Sequence, residues 1–253
     1  MKNNHTLKVK RNSIERRNDF VSIIILSENY GYRMKSYGSM SLLKIADKSL
    51  IEKQLKVIKS FFINYEVILC CGFETKKTVD FVKDKFANEN IRIVENQIYS
   101  NSNSCESARL CLNNLMNDKV LIIHGDLVLS AAMLSQIDYK NNSILVQDDN
   151  RHKNFIVSAI DHENQLNNFC IGGKNKFWTD CVYLNDGGSI NKLSEIVNNP
   201  NYKNKFLFEA LNELVRTTKI KTCVNELNPV LKINNIKSLK DYMQNEDFNT
   251  KLY

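Results

Sequence analysis

Proline and glycine are scarce in this chain, which has two prolines and eight glycines among 253 residues. No stretch rich in these residues or in serine divides the sequence, and no internal repeat is evident. A single domain is therefore the simplest prediction. We place it at residues 20–253, after a flexible basic leader at residues 1–19.

Long apolar runs are missing as well. None approaches the roughly 20 residues that a membrane-spanning helix needs, and the leader lacks the apolar segment of a signal peptide. We therefore expect a chain without a membrane span that stays in the cytoplasm, either of its own cell or of a host cell.

The seven cysteines lack the spacing of a zinc site, because they form no CxxC pair and have no histidine at metal-binding separation. Several lie inside apolar runs. We expect reduced and buried thiols, as in a cytosolic protein.

The charge balance, 35 basic against 28 acidic residues for a net +7, favours an anionic partner. The excess is spread along the chain except in the leader, which we interpret as a solvated tail rather than as an arm for nucleic acid or a membrane. A nucleotide or phosphate ligand suits this distribution, and nucleic acid is the less favoured partner.

The hydrophobic pattern predicts strands that alternate with helices. The predicted strands are 21–26, 65–71, 91–94 and 119–124 in the first half and, less regularly, 155–161, 178–184, 221–227 and 229–233 in the second. The predicted helices are 49–62, 76–87, 104–116, 190–197 and 206–217, with a turn at Gly187 and Gly188. This order indicates an α/β fold with three α/β/α layers and a mostly parallel mixed sheet, which binds ligands beyond the carboxyl ends of its strands.

Two candidate ligand segments lie at such strand ends. In LSENYGYRM, from Leu26 to Met34, Gly31 and Arg33 would bring backbone N–H groups and a guanidinium to a triphosphate, although alone the stretch is typical of a surface loop. Asp126 follows a glycine at the end of the strand KVLIIH, a position that suits either an Mg²⁺ ligand or a turn. His124 is interpreted as a packed side chain.

Polar and aromatic side chains elsewhere have two interpretations each. Asn103, Ser104 and Ser107 begin a predicted helix, so capping explains them as well as recognition of a base or ribose does. Trp178 and Tyr183 are interpreted first as core aromatics, with the wall of an acceptor pocket as the alternative.

In their order, these segments resemble the nucleotidyltransferases that join a nucleoside triphosphate to a sugar phosphate or to phosphocholine, and the small phosphocholine cytidylyltransferases are the most similar branch. The family patterns LAAGxGxRM, K-P-L-I-E-x-Q and NNxxSL resemble LSENYGYRM, KSLIEKQL and NSCESA here. A family strand that ends in a metal ligand resembles VLIIHGD, and the E-I-D segment resembles Lys232-Ile233-Asn234. The resemblance covers about residues 20–245.

The resemblance implies a GT-A-like, Rossmann-like fold and a transfer that releases pyrophosphate. CTP is the favoured nucleotide, and a small phosphorylated compound such as phosphocholine or a sugar phosphate is the acceptor; a homodimer or a protein partner stays open. By the same resemblance the nucleotide-binding residues are Leu26, Ser27, Gly31, Arg33, Asn103 and Ser107, the catalytic ones Arg33 and Asp126, and the Mg²⁺ ligands Asp126 and Asn234.

Several positions depart from the family pattern. Asn29 occupies the position of the first loop glycine, and Ser27 and Glu28 occupy the positions of the two alanines. Met40 replaces the lysine of a P-K segment, and Asn234 replaces an aspartate. Losing one charge-stabilising group of this kind costs about 100- to 1,000-fold in rate. Lys35 or Lys44 is the predicted substitute for the lost lysine, and Glu28 is a candidate replacement metal ligand.

Two other interpretations compete with an active nucleotidyltransferase. One is a catalytically silent member of the fold that acts as a binding or assembly module. The other is a sugar-transferring enzyme of the nucleotide-sugar type, which is less favoured because HGD supplies one acid where a D-x-D pair is usual.

Overall fold

The computed structural model describes residues 16–30, 34–148, 157–173, 176–227 and 230–244. The strands are β1 (Val21–Ser27), β2 (Lys44–Ile45), β3 (Lys48–Ser49), β4 (Tyr65–Cys71), β5 (Ile91–Glu95), β6 (Val120–His124), β7 (Leu127–Val128), β8 (Ser143–Gln147), β9 (Val157–His162), β10 (Gln165–Ile171), β11 (Phe177–Leu184), β12 (Lys221–Val224) and β13 (Leu231–Lys232). The helices are α1 (Leu50–Phe61), α2 (Thr75–Lys85), α3 (Ser104–Leu112), α4 (Ala131–Ser135), α5 (Gly187–Asn198), α6 (Leu207–Leu214) and α7 (Ile236–Gln244), with short 3-10 helices at Lys35–Tyr37, Met40–Leu42, Tyr99–Asn101 and Pro200–Tyr202.

The large sheet has the strand order β5-β4-β1-β6-β11-β8-β12-β10-β9. Strands β5, β4, β1 and β6 are parallel neighbours, whereas β11 runs antiparallel to β6. In the pairing of β1 with β6, Leu26 lies opposite His124, so the carboxyl ends of these two strands lie side by side. The α/β fold with a mixed sheet is therefore confirmed, and the strand ends at which a ligand is predicted lie at one edge of its parallel half.

Strand β1 shows why helices cover both faces of the sheet. All seven of its residues are buried. Ile24 packs into a core with α3, α5 and α6, and Ile23 packs into a second core on the opposite face with α1, α2 and α4. A parallel strand that is covered on both sides is expected to be nearly all apolar. VSIIIL fits this apart from Ser22, whose buried hydroxyl donates to Oε1 of Glu66 at 2.6 Å.

One local prediction is wrong. Gly187 and Gly188, predicted as a turn, are the first residues of α5. The helix begins there because the Asp186 carboxylate caps it, accepting hydrogen bonds from the Ser189 backbone N–H at 2.8 Å and from the Ser189 hydroxyl at 2.7 Å. A capping aspartate outweighs the weak helix preference of two glycines.

The last residues of the predicted leader are attached to the domain. The Arg17 N–H donates to the Phe61 carbonyl at 2.8 Å, and the Ile63 N–H donates to the Arg17 carbonyl at 2.7 Å. The Arg17 guanidinium lies 4.3 Å from the centre of the Tyr139 ring. The end of the leader is therefore bound to the end of α1. Residues 1–15 of the leader lie outside the described residues.

The predicted state of the cysteines is confirmed, since all seven are free thiols and five of them are buried. Burial raises the pKa of Cys105 to about 12, which keeps this thiol protonated and unreactive at neutral pH. Within the described ranges, no helix is both long and apolar enough to span a membrane.

Candidate active site

A pocket of about 220 Å³ opens at the carboxyl ends of β1 and β6. Four of the eight residues to which the resemblance gives a nucleotide, catalytic or metal role lie in its wall, namely Leu26, Ser27, Asn103 and Asp126. Ser107 and Asn234 are not among the described residues that line it. The predicted phosphate-binding residues Gly31 and Arg33 lie outside the described residues.

The turn that carries Asp126 is fixed by backbone contacts. The buried Gln54 amide, on α1, donates to the Gly125 carbonyl at 3.1 Å and to the Leu127 carbonyl at 2.9 Å. The Gly125 N–H donates to the Leu26 carbonyl at 2.7 Å. A Cβ atom on Gly125 would lie 2.5 Å from Cβ of Ser27, so only glycine allows β1 and β6 to approach this closely.

Replacing Gln54 by leucine is expected to lower the free energy of unfolding by about 1–3 kcal/mol, because two buried carbonyl groups lose their donor. Urea unfolding followed by circular dichroism measures the change. The matched control is Lys53→Leu, at a half-buried position of the same helix, which should change the value by less than about 0.5 kcal/mol. Equal effects of the two substitutions would show that the Gln54 hydrogen bonds contribute nothing.

Asp180 is a site residue that the sequence did not indicate. The pairing of β11 with β8 shifts register between Trp178 and Val182, and Asp180 has a φ of 56°, in the left-handed region. The Thr179 hydroxyl donates to the Leu145 carbonyl at 2.8 Å, and the Trp178 indole N–H donates to the Cys181 carbonyl at 3.0 Å. This β-bulge directs the Asp180 side chain to the pocket wall.

Lys232 completes what we call the Lys232 cluster, which consists of Lys232, Asp126 and Asp180. Its ammonium makes a short ion pair with Oδ2 of Asp180 and lies 3.7 Å from Oδ2 of Asp126. The three side chains are 14%, 9% and 15% exposed for Lys232, Asp180 and Asp126 respectively. The cluster thus joins β13, β11 and the end of β6 inside the pocket.

The charges of the Lys232 cluster follow from burial and pairing. Burial alone would lower the pKa of Lys232, but Asp126 and Asp180 outweigh it and raise this pKa above its ordinary value. Burial would raise the pKa of Asp180, but the ammonium lowers it below its usual range. The pKa of Asp126 stays raised by burial in spite of Lys232 and His124. Lys232 and Asp180 therefore form a charged pair at neutral pH, and Asp126 is the more easily protonated of the two aspartates.

Glu28 lines the same pocket and is 5% exposed. Burial raises its pKa, and the negative charge of Asp126 adds to this rise. Nearby, the Nε2 atom of His124 is buried without a hydrogen-bond partner in the described structure. Its ring lies edge-on to Trp178, with 6.2 Å between the ring centres, in accord with the prediction of a packed histidine.

The described residues do not fit the Mg²⁺ site that the sequence predicts. Across the described ranges, no group of three histidine, cysteine, aspartate or glutamate side chains is arranged to hold a metal. Oδ1 of Asp126 is buried without a hydrogen bond, as a cation ligand would be. Its Oδ2, however, faces the Lys232 ammonium, which repels a second cation, and the Asn234 amide oxygen accepts from Asn235 Nδ2 at 2.8 Å.

The predicted substitutes for the lost lysine do not reach the pocket. Met40, at the position of that lysine, is 5% exposed and lines the pocket with its side chain. The Lys35 amine lies 6.0 Å from the centre of the Phe73 ring, and Lys44 is exposed; neither is among the described lining residues. Among the described lining residues the one lysine is Lys232, which comes from the second half of the chain.

The remaining predicted residues divide between the core and the pocket. Asn103 caps α3 through its Oδ1, which accepts from the Ser104 N–H at 2.9 Å, so the capping interpretation is confirmed. It also lines the pocket, and recognition of a base or ribose there stays a prediction. Ser107 is fully buried and accepts from Asn96 Nδ2 at 3.0 Å. Tyr183 packs against Tyr139 at 4.9 Å in the core that contains α1, which favours the core interpretation for this side chain.

No model of a known protein family matches the chain. A bifunctional protein GlmU of Campylobacter fetus is 29% identical over 109 residues, which are 43% of this chain and 24% of that protein. The chain therefore matches about a quarter of the length of this relative.

Solved structures are similar over nearly the whole chain. A CTP:phosphocholine cytidylyltransferase from Streptococcus pneumoniae superposes with a TM-score of 0.73 at 16% identity, covering 88% of this chain and 98% of that one. An inositol-1-phosphate CTP transferase from T. maritima gives 0.72 at 14% identity, covering 92% and 97%. A UDP-glucose pyrophosphorylase gives 0.70 at 12% identity, covering 92% and 100%.

Proposed function

We propose, from the nucleotidyltransferase fold that this chain has, that it binds a nucleoside triphosphate in the described pocket and transfers the nucleotidyl group to a small phosphorylated acceptor. CTP is the favoured nucleotide, and phosphocholine or a sugar phosphate is the favoured acceptor class. The observation that carries the proposal is the convergence of Leu26, Ser27, Asn103 and Asp126 on one pocket at the carboxyl edge of the sheet.

In this reaction an oxygen of the acceptor phosphate attacks the α-phosphorus of the nucleotide. The bond from that phosphorus to the bridging oxygen of the β-phosphate breaks, and pyrophosphate leaves with the electron pair. Such a transfer requires positioning and charge stabilisation. The cation available among the described lining residues is Lys232, and the lining residues Leu26 and Ser27 lie at the carboxyl end of β1.

A catalytically silent binding module is the second candidate, and a specific observation favours it. Met40 gives the pocket an apolar wall where the family pattern has a lysine, and Lys232 stands where that pattern has an acid. Positioning of a nucleotide survives such changes more easily than the stabilisation of a charged transition state does. Such a protein would bind the nucleotide without turning it over.

Two measurements on the full chain test these functions. Calorimetric titration with CTP, UTP, ATP and GTP, with and without Mg²⁺, shows whether a nucleotide binds and whether CTP is preferred. Pyrophosphate release with phosphocholine or a sugar phosphate then tests turnover. Binding with release supports the transferase, and binding without release supports the silent module. If none of the four nucleotides binds, both proposals are wrong.

A further inference from the structure

Lys232 lies where the acidic side chains of the pocket converge. Strand β13 pairs antiparallel with β7 so that Lys232 lies opposite Leu127. The N–H of the following residue, Ile233, donates to the Asp126 carbonyl at 2.8 Å. This register, set by backbone pairing, holds the lysine beside the turn that carries Asp126.

The surroundings of the ammonium are built from two separate strands. The β-bulge of β11 presents Asp180 in a left-handed backbone conformation, which is strained and is retained only where the surroundings enforce it. The end of β6 presents Asp126 from the other side, 3.7 Å from the ammonium. Two carboxyl groups from separate strands therefore face one buried ammonium.

We propose that the Lys232 ammonium is the resident cation of this pocket and takes the place of the divalent metal, so that the chain binds nucleotide phosphates without Mg²⁺. The phosphate-binding part rests on the proposed function. An ammonium is a point charge with three N–H donors, and phosphate oxygens are among its usual acceptors. Among the described lining residues, Lys232 is the one lysine or arginine that supplies such a charge.

This proposal accounts for two positions at which the sequence departs from the family pattern. The acid of the E-I-D segment has become Lys232, and the aspartate two positions later has become Asn234. Together these changes remove two negative charges and add one positive charge at a single place. A site that lost its metal ligands by chance would leave Asp126 and Asp180 unpaired in the pocket, at a large cost in stability. The structure instead pairs both with one lysine.

The first test needs no nucleotide. The full chain is mixed with an equal concentration of Mn²⁺, and the electron paramagnetic resonance signal of free Mn²⁺ is followed. The wild-type chain should leave the signal unchanged, whereas Lys232→Glu, which restores an acid, should decrease it. A decrease with the wild-type chain that Asp126→Asn abolishes would overturn the proposal.

The second test uses CTP with EDTA or with excess Mg²⁺. The Kd of the wild-type chain should agree within about threefold between the two conditions, and Lys232→Gln should weaken binding in EDTA by about 10- to 100-fold, the loss expected for a hydrogen bond to a charged group. The exposed Lys237→Gln is the matched control. If the wild-type chain binds CTP only with Mg²⁺, the proposal that Lys232 takes the place of the metal is wrong. If CTP binds in neither condition, both the proposed function and the proposed contact between Lys232 and a phosphate are wrong. The Mn²⁺ measurement still decides which cation the site holds.

Discussion

Replacing Lys232 by methionine is expected to lower the free energy of unfolding by about 3–5 kcal/mol, the usual cost of removing one partner from a buried ion pair. Methionine has a similar length but no charge, so Asp126 and Asp180 would face each other without a cation. Both carboxylates are at most 15% exposed, so water cannot solvate them fully. Chemical unfolding of the wild-type and variant chains at neutral pH measures the difference.

The destabilisation caused by Lys232→Met should become smaller as the pH falls. In the wild-type chain the ammonium holds the pKa of Asp180 below its ordinary value, so this pair stabilises the fold at neutral pH and loses its contribution as the pH falls through that lowered pKa. Without the lysine, burial raises the pKa of both aspartates. The destabilisation of Lys232→Met should therefore shrink as the pH approaches about 4, where the carboxyl groups become protonated.

The control for this substitution is Lys237→Met, at an exposed position five residues further along the chain. A surface change of this kind alters stability by less than about 0.5 kcal/mol. If Lys232→Met costs no more than this control at neutral pH, the Lys232 cluster is not an ion pair that the fold depends on.

The first half of the fold could be predicted from the sequence because its elements are strongly patterned. The strand predicted at 65–71 matches β4 from end to end, and the helix predicted at 49–62 differs from α1 by one residue at each end. Ser49 and Glu52 form a capping box there, with the Ser49 N–H 2.7 Å from Oε2 of Glu52. Local signals of this kind fix where an element begins without help from the rest of the chain.

The second half of the fold was harder to predict from the sequence, because its strands depend on partners that are distant in the chain. Strand β8 was not predicted, although all five of its residues are buried between β11 and β12. Strand β10 was missed as well, because its buried and exposed residues follow a bulge rather than strict alternation. Tertiary context decides such strands.

The candidate site shows the same division. Asp126 could be predicted because glycine and aspartate directly follow an apolar strand. Asp180 could not, because its orientation results from a register shift in β11, which a single sequence does not reveal. Lys232 entered the sequence analysis only as the first residue of the segment that resembles E-I-D, with no role assigned to it. Its ion pairs depend on the pairing of β13 with β7, two short strands about 100 residues apart in the sequence.

Replacing Trp178 by alanine is expected to lower the free energy of unfolding by about 3–5 kcal/mol, as for other buried aromatic residues. The indole is 2% exposed and packs against Phe169, with 5.0 Å between the ring centres. Its N–H also holds the β-bulge through the Cys181 carbonyl. The substitution therefore removes the pocket wall and the support of Asp180 together, and CTP binding should be lost along with stability. Unfolding in urea and calorimetry with CTP measure the two effects.

Two further variants separate these roles of Trp178. Trp178→Phe keeps an aromatic ring but lacks the N–H donor, so it should lose less stability than alanine while still loosening the bulge. Phe206→Ala removes an aromatic side chain that lines the same pocket but is 48% exposed, and it should cost less than about 1 kcal/mol. If Trp178→Ala lowers the free energy of unfolding as little as Phe206→Ala does, the indole does not stabilise the fold. The conformation of Asp180 would then depend on its other contacts, those of Lys232 and Thr179.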